Sequence, residues 1–301
     1  MVFFKYTLKE FANVYEMKVF ILCPYAMTGG PEASHQFCEE LNVNGVESYI
    51  YYYDVRQGVP QLYPEYKNIR LSYGIEDSPE NYVVVPEIID FSKIPLKHSN
   101  ICVWWLAYAN LEFFKNSNVI HLFQSYFSYA AVRPHIGRKS MFFISDYVNS
   151  EPYESTDRVN IICYNGRKDT VTPIICERLG ITPVRIDEMS KAQVVDVLRN
   201  CKIYMDLGFH PGKDRVPREA AINGCVVVTN KCNSAAYYED IPIAEKVKDD
   251  DDCVQLIKNI LDNYDEYYNK QKNYRQIVQS QKDIFKTEVK LFIEFMKTRK
   301  D

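Results

Sequence analysis

The chain has 301 residues, 47% apolar and 25% charged, with a formal net charge of −4, the composition of a soluble globular protein long enough for two compact domains. No run approaches the roughly 18 apolar residues of a membrane span, and the acidic balance excludes a general nucleic-acid binder, which carries a surplus of Lys and Arg. The nine cysteines are scattered, with no CxxC pair and no zinc-finger spacing, so we expect them to be reduced and mostly buried.

The first stretch, MVFFKYTLKEFANVYE, lacks a basic region followed by a continuous apolar core. It does not read as a secretory signal, and a cytoplasmic protein is expected. Phe4, Leu8, Phe11 and Tyr15 fall at helical spacing. A helix over 1–16 either packs on its own domain or lays its apolar face against a partner or the inner face of a membrane. KVFILC (18–23) then reads as a buried strand, followed by the glycine turn PYAMTGGPEAS, a helix through HQFCEELNVNG and the strand VESYIYYYD. Strand, glycine turn, helix, strand is the βαβ arrangement of a parallel sheet. Further strands are expected at YVVVPE (82–87), ICVWWL (101–106), VIHLF (119–123) and MFFIS (141–145), while 55–80, rich in turn formers and aromatics, yields no element.

Ser, Glu, Pro and Thr gather without periodicity in YVNSEPYESTDRV (147–159), which reads as a linker. A second series follows: strand VNIICYN (159–165), a helix near 171–179, strand TPVRI (182–186), a helix at 190–199, and strands KIYMDL (202–207) and GCVVVTN (224–230). Beyond residue 250 the pattern is helical. The four acids at 249–252 suit the positive end of a helix dipole better than a metal site. IFKTEVKLFIEFMKTR reads as a long terminal helix lying across the domain junction. The expected architecture is α/β: two Rossmann-like doubly wound domains facing a cleft, at 1–152 and 153–280, with a terminal helix at 281–301.

The chemistry concentrates in HPGKDRVPREAAINGC (210–225), after a strand and so at the carboxyl edge of a sheet, where open α/β sheets bind ligands. Pro217 suits the first turn of a helix and Ala220 and Ala221 continue it. Lys213, Arg215 and Arg218 therefore gather where a helix N-terminus already offers free N–H groups, an environment for a diphosphate. Glu219 would repel phosphate and fits better as an acceptor for sugar or ribose hydroxyls. YNGRKDT (164–170) places Arg167 and Lys168 in a second basic turn on the same edge, and two such turns can clasp one diphosphate. Gly29 and Gly30, between first strand and first helix, would let a ligand approach backbone amides. Glu32 and His35 lie just beyond, His35 reading as a surface or capping residue. Trp104 and Trp105 read as core or as an aromatic wall for a sugar, and Ser234, after the last strand of the second series, as a plain turn residue or a contact to phosphate or sugar. Asp146, near a strand end, is a candidate general base. No GxGxxG follows the first strand, which argues against an NAD-dependent dehydrogenase.

GFHPGKDRVPREAAINGCVVVTN resembles the donor-binding segment of GT-B glycosyltransferases, in which a Pro-containing turn leads to Glu, small residues, Gly and an apolar strand. YNGRK resembles the Arg/Lys diphosphate turn of the same fold, and YAMTGGPEASHQFCEEL its N-domain glycine loop. The resemblance, to the family 4-like and family 1-like enzymes of bacterial polysaccharide assembly, covers about residues 17 to 240. It implies transfer of a sugar from a nucleotide-sugar donor, held by the C-terminal half, to a glycan or lipid-linked acceptor held by the N-terminal half. Glu219 matches the family's second glutamate, near the ribose. The first glutamate of many retaining members falls on Pro211 here, so His210 and Asp214 become the candidates for its catalytic place. No DxD motif follows a strand, so no metal and no further cofactor are expected. A nucleotide-sugar epimerase and a non-catalytic nucleotide- or carbohydrate-binding module are the competing readings.

Overall fold

A computed structural model describes residues 17–299 apart from 57, 91–92, 108–117, 138–139 and 156; the expected helix over 1–16 lies outside the described residues. The chain divides into two units, one of Met1–Gln124, Tyr129–Asp146 and Asp283–Asp301, the other of Ser125–Ser128 and Tyr147–Lys282. Each carries its own parallel sheet.

In the first unit six strands pair in the order β2-β1-β3-β4-β5-β6: β1 (Lys18–Cys23), β2 (Glu47–Tyr52), β3 (Tyr82–Pro86), β4 (Asn100–Trp105), β5 (Ile120–Phe123) and β6 (Met141–Phe143). All five residues of β3 are buried, as in a strand covered on both faces, whereas β2, at an edge, buries every second side chain. Helix α1 (Gly29–Val43) turns Ala33, Phe37 and Leu41, at helical spacing, into the core. It ends where Gly45 takes φ +79°, a conformation that costs a glycine little. Trp104 is buried with its ring 5.3 Å from Phe37 and its Nε1 donating to Ile144 O at 2.9 Å; Trp105 Nε1 donates to His121 Nδ1 at 3.0 Å. Both tryptophans are core, not an exposed aromatic wall. A helix that the sequence reading did not foresee, α2 (Tyr126–Val132), follows β5.

The second unit pairs four strands in the order β10-β9-β7-β8: β7 (Val159–Tyr164), β8 (Val184–Arg185), β9 (Cys201–Asp206) and β10 (Val226–Thr229). Helices α3 (Thr172–Leu179), α4 (Lys191–Asn200) and α5 (Arg215–Ile222) connect them, and α6 (Asp250–Asp262), α7 (Tyr264–Lys270) and α8 (Lys272–Thr298) close the chain. The strand expected at 182–186 shrinks to two residues. The acids behave as a cap: Asp249 accepts from Asp252 N at 2.9 Å at the start of α6. The amphipathic α8 serves both units. Its first part packs Tyr274 and Val278 into the core of the second, and Phe292, of the first, lies 6.0 Å from Phe37 and 5.4 Å from Phe142. The described residues of 144–158 form neither helix nor strand, and the unit boundary falls within them, between Asp146 and Tyr147.

Both sheets reverse their strand order at the third strand, between β1 and β3 in the first unit and between β7 and β9 in the second. At such a point the two exit turns diverge and leave a crevice at the carboxyl edge.

Candidate nucleotide site

The second unit builds its crevice from the turn after β7 and the turn after β9. Asp169, 1% exposed, joins them: its Oδ1 accepts from Val171 N and Thr172 N, capping α3, while its Oδ2 accepts from Thr172 Oγ1 and from Leu207 N at 2.9 Å. Gly208 lies directly against the first turn. A Cβ there would meet the carbonyl of Lys168, with the carbonyl carbon at 2.8 Å, so only glycine lets the two backbones touch. Asn230 Nδ2 donates to the carbonyls of Leu207 and Gly208, both at 2.7 Å.

Within this frame four charged groups meet. Lys168 Nζ lies 2.6 Å from Asp214 Oδ2 and 3.3 Å from Asp206 Oδ2. His210, fully buried, has Nδ1 2.8 Å from Asp214 Oδ2 and Nε2 3.1 Å from Asp206 O. Both partners are acceptors, so both ring nitrogens donate, and the ring that makes both bonds is an imidazolium. Burial opposes that charge, but the bond to Asp214 and the field of Asp206 hold the pKa above its ordinary value. Burial pushes the Asp206 carboxyl up against the pull of Lys168 and His210. The Asp214 carboxyl is held below the usual range because its bonds to His210 and Lys168 outweigh burial. Asp206 Oδ1, also buried, has no hydrogen-bond partner.

Asp206, His210 and Asp214 form a donor set that could hold a cation. Lys168 Nζ lies against the two carboxylates of that set. Asp214 is the N-cap of α5 but makes no side-chain capping bond, its carboxylate being committed to His210 and Lys168. The first amides of α5 thus keep their dipole without a carboxylate cap in front of them.

Around this neutral quartet stand the remaining cations. The Arg167 side chain is 71% exposed, its Nε 3.9 Å from the Asp187 carboxylate and its Nη2 donating to Asp187 O at 3.4 Å. Arg215 Nε lies 3.9 Å from Glu219 Oε1, one helical turn on, and the Glu219 side chain is 25% exposed. Arg218 departs from the sequence reading. It is 1% exposed, and its guanidinium donates to Asp214 O, Lys213 O and Gln281 Oε1 at 3.1, 2.9 and 3.0 Å, so it shapes the 213–214 turn rather than facing a ligand. Ser234 is likewise internal, its Oγ donating to Gly212 O at 2.6 Å and its N–H to His210 O. Lys213, half-buried, remains in the turn.

In the first unit, Gly29 and Gly30 open α1, but a Cβ on Gly30 would make only an ordinary 3.5 Å contact with Leu106. His35 is no surface residue: its Nε2 accepts from Tyr52 Oη at 2.8 Å, that hydroxyl being fixed by Leu62 N, and its Nδ1 donates to Pro31 O. Burial lowers its pKa. Asp146 is fully buried and accepts from Gln124 Nε2 at 2.9 Å, which withdraws it as a solvent-facing base. Sequence reasoning passed over Glu87. At the carboxyl end of β3, beside the first unit's reversal point, it is buried, accepts from Leu106 N and Ala107 N, and is pushed by burial up to about 7. It also passed over Asp169 and Asp206, whose signal was their place at strand or turn ends.

No family model matches the chain, and no curated protein matches it in sequence. Solved structures do. The sucrose-phosphate synthase of Thermosynechococcus elongatus superposes with a TM-score of 0.68 at 12% identity, over 94% of this chain and 100% of that one. HepE of Anabaena, solved with UDP and glucose, gives 0.65 at 12% identity over 94% and 100%. The T4 phage BGT, solved with UDP and Mn2+, gives 0.52 at 10% identity over 91% and 99%. The fold is that of the GT-B glycosyltransferases. In GT-B terms the paired basic turns belong to the C-terminal Rossmann-like unit and the glycine turn to the N-terminal one. The described helices include none long and apolar enough to cross a membrane.

Proposed function

We propose that this chain is a glycosyltransferase that moves a sugar from a nucleoside-diphosphate sugar, held by the second unit, to a glycan or lipid-linked acceptor held by the first, in surface polysaccharide assembly on the cytoplasmic side of a membrane. The observation that carries the reading is the buried quartet Lys168, Asp206, His210 and Asp214 at the reversal point of the second sheet, with exposed Arg167 and the N-terminus of α5 beside it. The quartet is close to neutral, and an arriving diphosphate meets the cationic side chains of Arg167, Lys213 and Arg215 together with the α5 amides.

In the reaction the bond between the sugar and the diphosphate breaks, and the negative charge that develops on the leaving phosphate is met by these fixed donors. His210, already holding its proton for two acceptors, is a poor base. It serves as a positive charge behind the phosphates, and Asp214 aligns His210 and Lys168. Glu219 accepts hydroxyls of the ribose. Support comes from the fold shared with enzymes solved with UDP or UDP-glucose. BGT was solved with Mn2+; in this chain Lys168 occupies the place beside Asp206 and Asp214 that a cation would take, and we propose turnover without a divalent ion.

The test is calorimetric titration of the full chain with UDP, GDP, ADP and their sugar conjugates. One nucleotide should bind, and Arg167→Ala should weaken it about tenfold, the worth of one charge-assisted contact. Absence of binding by every nucleotide, or unchanged affinity in the variant, refutes the assignment.

A further inference from the structure

Away from the nucleotide turns, the second unit buries three cysteines on neighbouring strands: Cys163 within β7, Cys201 at the first position of β9 and Cys225 immediately ahead of β10. Their sulfurs stand 2.9 Å apart for 163 and 201 and 3.3 Å apart for 201 and 225, and all three lie within 4.8 Å of one another. Unbonded atoms, even carbons, keep about 3.5–4.0 Å between centres. Sulfurs this close share a proton or a cation, or on oxidation a covalent bond.

The second observation is Arg158. It is 8% exposed, and its guanidinium and Nε donate only to carbonyls: Leu198 O and Cys201 O, both at 2.8 Å, Ser155 O at 2.9 Å, and Asn223 O. No carboxylate pairs with it among the described residues. A buried charge left without a counter-charge is costly, and a thiol of this cluster, Cys225, sits at the same carbonyls as the guanidinium. The Cys225 thiol reaches Leu198 O at 3.1 Å and Cys201 O at 3.7 Å, the same two carbonyls that Arg158 already satisfies. Loss of the thiol proton therefore leaves no buried acceptor bare.

We propose that Cys163, Cys201 and Cys225 bind one thiophilic closed-shell cation, of the class of Zn2+ and Cu+, through three thiolates whose charge Arg158 offsets. Thiolates around such an ion, at about 2.3 Å each, stand about 3.7–4.0 Å from one another, so the two short separations reach that range by opening about an ångström or less, and the third already lies within 4.8 Å. With a divalent ion the three thiolates leave one net negative charge, which Arg158 neutralises; with Cu+ they leave two, of which Arg158 offsets one. Binding releases the thiol protons to solvent. The ion ties together β7, β9 and β10, the strands whose exit turns carry the nucleotide site, from a place independent of it.

The full chain, purified anaerobically in reductant and without chelator, is assayed for metal by mass spectrometry and titrated with Cd2+, whose thiolate complexes absorb in the near ultraviolet. About one zinc or copper per chain is expected, and the element found separates the two; Cys163→Ser and Cys225→Ser should each cut the content at least about tenfold, while Cys232→Ser, at an exposed position, retains it. Should the serine variants fail to fold, the wild-type Cd2+ titration decides, with a charge-transfer band saturating near one equivalent. A folded wild-type chain that is metal-free and gives no such band overturns the site. So does a Cys163–Cys201 disulfide in the chain as purified, or a Cys232→Ser chain that loses the metal equally.

Discussion

Lys168→Met keeps the apolar stem and deletes the ammonium that faces Asp206 and Asp214. The Lys168 side chain is 23% exposed and Asp206 fully buried, so the pair is largely out of water. Breaking such a pair on one side costs about 3–5 kcal/mol. Part of that is recoverable, because Lys168 also depresses the proton affinity of His210; without it the imidazolium keeps its proton to higher pH and continues to face the two carboxylates. The pH dependence follows from the signs. His210 is raised above 6.5, so its contribution is full below that pH and lost as pH climbs through the folded value. Asp214 is lowered from 3.8, so its contribution is present above that and fades only in strong acid. Asp206 is raised by burial, so its ionised form costs stability at neutral pH, a cost that the variant increases and acid relieves. The His210 and Asp206 trends bring variant and wild type together as pH falls from about 8 to about 6, while Asp214 stays ionised throughout that window. Urea unfolding followed by circular dichroism should show the variant less stable by about 3 kcal/mol at the higher pH, with the gap at least about 1 kcal/mol smaller at the lower. A gap below about 1 kcal/mol at the higher pH, or one that ignores pH, would refute the charge-quartet argument.

Gly208→Ala drives a methyl into the Lys168 carbonyl and should cost about 1–3 kcal/mol by overpacking, with nucleotide affinity falling alongside; thermal melts and calorimetry of the same preparation read both, and an unaffected variant would show that the turns do not touch. Glu219→Gln keeps shape and part of the hydrogen bonding, so donor affinity should drop by about tenfold with kcat at saturating donor reduced only modestly; normal donor KM with abolished kcat would make Glu219 a participant in the chemistry instead. Turnover should survive excess chelator, Lys168 supplying the local charge, and complete loss restored by Mg2+ or Mn2+ would refute that substitution.

Most of the order of elements and the edge on which the two basic turns lie could be read in the chain because they depend on local pattern. Apolar runs such as VVV at 83–85 and CVVVT at 225–229 name buried parallel strands, and Pro217 followed by a small-residue run marks a helix start after a charged turn. Which charges face a ligand was not readable. Lys213, Asp214, Arg215 and Arg218 look alike in one decapeptide, yet Arg218 is turned inward to hold the carbonyls of residues 213 and 214, and Asp214 is drawn from capping by a lysine 46 residues away.

The same limit explains His35, Asp146, Glu87 and the cysteines. Sequence alone determined the place of most helices and strands, that the sheets are parallel and that two basic turns share an edge, since periods of two and 3.6 residues and the residues that punctuate them act over a few neighbours. Only the tertiary structure decided that His35 is locked by Tyr52, that Lys168 pairs with Asp206 and Asp214, and that Cys163, Cys201 and Cys225 meet beside Arg158. Each of these depends on burial and on partners brought close by strand order, and a side chain's charge state and availability follow from what surrounds it in space, not from what precedes it in the chain.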